Sequence, residues 1–96
     1  MGKILTYNEM IQLFKDAICD KRYIFVNITG IQWSCALNVE NLEVRDTGDS
    51  IHIKDKNDFK SFIDKDCIDV MLLEKFDYSE KITINTITNN FVFYIN

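Results

Sequence analysis

The sequence predicts an α+β fold: a mostly antiparallel, curved sheet or small barrel of about six to seven strands, with an N-terminal amphipathic helix and a short second helix. Three observations carry this. A capping signal followed by apolar residues at helical spacing opens the chain. From Arg22 onward the apolar period falls to two. Short breaks holding Gly, Asn and Asp separate these segments, and short connections favour antiparallel pairing. The expected order is α-β-β-β-β-α-β-β-β in one domain, residues 1–96, a length that leaves no room for a second core.

The helix is the best-marked element. Thr6-Tyr7-Asn8-Glu9 has the pattern of a capping box, in which the Thr6 hydroxyl and the Glu9 carboxylate each satisfy an orphan amide. Leu5 and Met10 stand at the positions of a hydrophobic staple. Tyr7, Met10, Ile11, Phe14, Ala17 and Ile18 form one stripe, with Asn8, Glu9, Gln12, Lys15 and Asp16 opposite. The helix should end near Asp20-Lys21.

Arg22 to Thr29 then reads as a strand, with Ile24, Val26 and Ile28 on one face and Tyr23 and Phe25 on the other. Gly30 breaks it. A second strand follows from Ile31, with Trp33, Cys35 and Leu37 inward, and Asn38 to Asn41 reads as a loop. Leu42 to Arg45 and Ile51 to Lys54 suit a hairpin around Asp46-Thr47-Gly48-Asp49, pointing Ile51 and Ile53 inward and His52 to water. Asn57 or Asp58 can cap a short second helix carrying Phe59, Phe62 and Ile63 at i, i+3, i+4. A fifth strand covers Ile68, Val70 and Leu72, with helix as the alternative over 67–76. Lys81 to Ile87 and Phe91 to Ile95 close the chain as a hairpin across Thr88-Asn89-Asn90.

Composition narrows the function classes. With 47% hydrophobic and 27% charged residues, the chain has the make-up of a globular domain and not of a disordered one. No apolar run approaches the roughly 18 residues of a membrane span, and Met1 to Thr6 lacks the form of a signal peptide. Met1-Gly2 with Thr6 fits a myristoylation pattern, but Leu5 and Thr6 are better explained as a helix start. Cys19, Cys35 and Cys67 are odd in number and widely spaced, which suits reduced thiols and a cytoplasmic location. The net charge of −4, without any basic stretch, disfavours direct nucleic-acid or membrane binding.

No catalytic constellation emerges. His52 is the only histidine, and strand alternation turns it away from Cys35. The carboxylates around Asp46-Asp49 and Asp64-Asp69 lack the alternating ligands and distal Glu of a calcium loop, so no metal or other cofactor is expected. Gly2, Gly30 and Gly48 are isolated, which excludes a phosphate-cradling loop.

One feature stands out. Arg22 to Thr29 and Phe91-Val92-Phe93-Tyr94-Ile95 are apolar on both faces, more apolar surface than two helices can cover. A small barrel, a sheet sandwiched between helices, or a sheet face left for a partner would each resolve this. The FVFYI run is uncharged and rich in β-formers, so at an open edge it would recruit a further strand.

The resulting functional expectation is a non-enzymatic, acidic protein-binding module. Within that class it points to an inhibitor of a larger partner such as a nucleic-acid-binding enzyme, of the kind phage or mobile elements direct against bacterial defence (anti-CRISPR-like). Asp46, Asp49, Asp55, Asp58, Asp64, Asp66 and Asp69 would imitate a phosphate path, and Tyr23, Phe25, Phe91, Phe93 and Tyr94 would supply apolar contacts. The alternatives are a self-assembling or accessory subunit dimerising through strand edges, or a small β-barrel that binds a ligand or nucleic acid.

Overall fold

The computed structural model describes residues 2–44, 49–55 and 60–96, with backbone alone for 40–44 and 55. The elements in chain order are β1 (Gly2–Ile4), α1 (Tyr7–Cys19), β2 (Ile24–Thr29), β3 (Ser34–Val44), β4 (Ser50–Asp55), β5 (Lys60–Asp64), a 3-10 turn (Lys65–Cys67), β6 (Ile68–Lys75), β7 (Glu80–Thr86) and β8 (Asn90–Ile95). The fold is α+β, and the strands pair in the spatial order β1-β6-β7-β8-β2-β3-β4-β5.

Every pairing is antiparallel. The long β3 belongs to two parts of this arrangement. Its first half pairs with β2 and completes a six-stranded run, and its second half carries β4 and β5. Between these halves the register shifts at Val39/Asn41, a bulge of the kind that bends a strand.

The capping box of α1 forms as its sequence dictates. The Glu9 amide donates to Thr6 Oγ1 at 3.2 Å, and the Thr6 amide donates to Glu9 Oε1 at 3.0 Å. At the other end the Arg22 amide reaches the Ala17 carbonyl and the Lys21 amide reaches that of Ile18. This is a Schellman closure, and it places Lys21 in the left-handed region at φ 56°. Met10, Ile11, Phe14 and Ala17 are buried, while Ile18 at the stripe's end is exposed.

α1 fills the inner side of the curved sheet. Ile24, Val26 and Ile28 of β2 face it with Ile82 and Ile84 of β7 and Phe91, Phe93 and Ile95 of β8. Ile51, Ile53 and Ile63 close the same core from β4 and β5. The rings of Phe14 and Phe93 meet edge to face.

Several expectations are corrected. Residues 60–64 are strand, not helix: Ile63 pairs with Ile51 and is buried, Phe62 pairs with His52 and is exposed. The helical spacing of Phe62 and Ile63 is therefore coincidental, and only a 3-10 turn follows. Phe59 and the proposed caps lie outside the described residues.

Asn38 to Asn41 is strand rather than loop, because the bulge lets β3 run on through this polar segment to Val44. Ile31 belongs to a turn, closed by the Gly30 amide donating to the Trp33 carbonyl, and is almost fully exposed. A register shift between Ile68 and Val70 inverts the alternation in β6, so Met71 and Leu73 are buried instead of Val70 and Leu72.

The sheet ends at β1 and β5 without closing, which excludes the barrel. β8 lies between β7 and β2, so the FVFYI run is no edge and cannot recruit a strand.

Candidate functional site

A strand buried on one side must still present its other side, and β2 and β8 present apolar residues there. Phe25, Val92 and Tyr94 alternate with the buried Val26, Phe93 and Ile95 and project from the outer sheet face. Register joins them into rows. Asn38, Phe25, Tyr94, Lys81, Glu74 and Gly2 are successive cross-strand neighbours. The next row is Ala36, Asn27, Val92, Thr83, Leu72 and Ile4.

Side-chain contacts order this surface. The Phe25 and Tyr94 rings lie 6.3 Å apart. Tyr23 extends their face by one strand position, since its amide and carbonyl bond Asn96, and its hydroxyl donates to Asn38 Oδ1. Tyr23 is half exposed and Ile4 is 73% exposed, while Phe25, Val92 and Tyr94 are part-buried by their neighbours. Lys81 and Glu74 in the first row face each other at 3.8 Å, so these charges oppose one another.

Three expected contact residues, Tyr23, Phe25 and Tyr94, are thus brought together. Phe91 and Phe93 are not: both are buried on the helix side, and neither can meet a partner in the folded chain. Alternation within β8 separates them from Tyr94. Ile4 and Leu72 escape a sequence reading because β1 is three residues long and the β6 bulge inverts the expected faces.

The acidic set is only partly described. Asp46 and Asp58 lie outside the described residues, as does the Asp55 side chain. Asp49, Asp64, Asp66 and Asp69 are exposed. Asp49 and Asp64 lie close, because Asp64 pairs with Ser50 and the Lys65 amide donates to the Asp49 carbonyl at 2.8 Å. Lys65 interrupts this acidic segment, its Nζ lying 5.0 Å from the centre of the Tyr7 ring. Burial, and next the charge of Asp49, push the Tyr7 hydroxyl above its ordinary value.

His52 is exposed beside Phe62 on the outer side of β4 and β5, with ring centres 6.3 Å apart. Among the described residues no three His, Cys, Asp or Glu side chains gather as metal ligands. Cys19, Cys35 and Cys67 are free thiols. No described helix is long and apolar enough to cross a membrane. Compared with known proteins, the chain matches no family model, no curated protein and no solved structure.

Proposed function

We propose that the chain is a protein-binding module whose contact surface is the outer face of the six-stranded run. The observation that carries this reading is the band Tyr23, Phe25, Tyr94 and Val92, which stands on the side of the sheet opposite α1. Its composition is that of an interface centre: aromatic and aliphatic groups, amides from Asn27 and Asn38, and few charges. A broad sheet face of this kind suits a protein surface better than a small ligand, which binds in a concave pocket.

Inhibition of a nucleic-acid-binding enzyme is the finer form of this proposal. It is supported by the exposed Asp49, Asp64 and Asp66, whose charges would add steering toward a basic partner. The test is affinity capture from a host lysate with the parent protein and with Thr83→Lys and Tyr94→Lys. The reading expects a protein retained by the parent and lost by both variants at unchanged circular dichroism. Equal recovery by all three would overturn it.

A further inference from the structure

We propose that a second copy of this chain docks along the free edge of β5, pairing Lys60–Asp64 with the same segment of its partner about a two-fold axis through Phe62. β5 ends the sheet, and among the described residues no strand pairs with its far side. A cleft of about 300 Å³ is lined by Lys60–Asp64 together with Cys67, Thr86, Thr88 and Asn89 of the same chain. An edge with unpaired amides and carbonyls is a template for strand addition.

The segment Lys-Ser-Phe-Ile-Asp is self-complementary in one register. Centred on Phe62, antiparallel pairing sets Lys60 of each copy opposite Asp64 of the other, and Phe62 opposite its own equivalent. Lys60, Phe62 and Asp64 share the outer side of the strand and are all exposed, Phe62 by 63%. Within one chain the cross-strand neighbour of Lys60 is Lys54, a like charge, and the dyad sets the opposite charge of Asp64 beside Lys60.

Parallel pairing in register would set Lys60 against Lys60 and Asp64 against Asp64. A slip by two residues would set Lys60 or Asp64 against Phe62. Only the dyad-centred register matches both charges and stacks both rings. His52 then flanks Phe62 on each side, extending the aromatic contact to four rings across the joined sheets. This surface shares Asp64 with the acidic group but is separate from the outer face formed by β2 and β8, and the pairing holds or fails independently of contact through that face.

The experiment is sedimentation equilibrium of the full chain from micromolar to millimolar concentration, with Lys60→Asp, Asp64→Lys and the double variant that exchanges both. Both side chains are exposed, and circular dichroism of each variant checks that the fold is kept. The proposal expects a concentration-dependent dimer. Each single change should weaken association at least tenfold, because it places like charges opposite each other twice. The exchange should restore it to within about threefold of the parent, since the pairs are re-formed with signs reversed. A strict monomer at every concentration, a dimer indifferent to the single changes, or an exchange that fails to restore association would each overturn it.

Discussion

Phe14 of α1 meets Phe93 of β8 with ring centres 4.8 Å apart and planes inclined at 66°. This edge-to-face contact joins the helix to a central strand, and both rings are within 1% of full burial. Phe93→Ala should therefore cost about 3–5 kcal/mol. The adjacent Tyr94→Ala, on the outer face, should cost under about half as much, because its ring is only part-buried. Urea unfolding of the two variants checks the difference, and equal losses would contradict the assigned faces.

Lys21 closes the helix from a left-handed conformation that costs a side-chain-bearing residue about 1 kcal/mol. Lys21→Gly removes that cost while keeping the two closing amide bonds. A gain of about 0.5–1 kcal/mol is expected in urea unfolding.

The N-terminus of α1 gives a pH signature. The Thr6 amide, and next the Lys3 ammonium, hold the Glu9 carboxyl below its ordinary value of 4.5. A lowered folded-state value means that the stabilisation is complete above 4.5 and is lost as pH falls through the lower folded value. Glu9→Gln should thus be less stable than the parent at neutral pH, with the gap closing in acid. Thermal unfolding from pH 7 to pH 3 reads this out, and a gap that widens in acid would contradict it. Thr6→Ala should cost about 1 kcal/mol by removing the hydroxyl half of the box.

Gly30 sits beneath the only tryptophan. A Cβ built there would overlap the indole nitrogen of Trp33, so Gly30→Ala must displace the indole. Fluorescence from this single tryptophan should shift as the half-exposed ring changes environment. An unchanged spectrum would contradict the placement of the ring over the turn.

The parts of the fold that were legible in the sequence are those where local and tertiary signals agree. The capping box and its apolar stripe mark α1 because one helix end and one buried face demand those residues. The β7–β8 hairpin is legible because Ile82, Ile84, Phe91, Phe93 and Ile95 all obey period two. The two-sided apolar character of β8 is compatible with a barrel, a sandwiched sheet, a face left for a partner or an edge, and of these the structure excludes the barrel and the edge. Its central position depends on pairing with β2, about sixty residues away, which no local pattern encodes.

Bulges account for much of the rest. One extra residue near Asp69 turns Met71 and Leu73 inward and leaves Leu72 outside, contrary to simple alternation. Another near Glu40 carries β3 through a polar stretch that reads as loop. β5 is ambiguous in sequence because Phe62 and Ile63 are adjacent, and adjacency suits the side of a helix as well as opposite faces of a strand. Pairing with β4 decides it.

The most direct measurement of the central claim is site-specific photocross-linking in host lysate, with a photoreactive phenylalanine placed at Tyr94 on the outer face or at Asn8 on the exposed side of α1. The account predicts a discrete cross-linked protein from position 94 and none from position 8. Cross-linking from position 8 alone, or none from position 94 while the intact chain retains a partner, would contradict it.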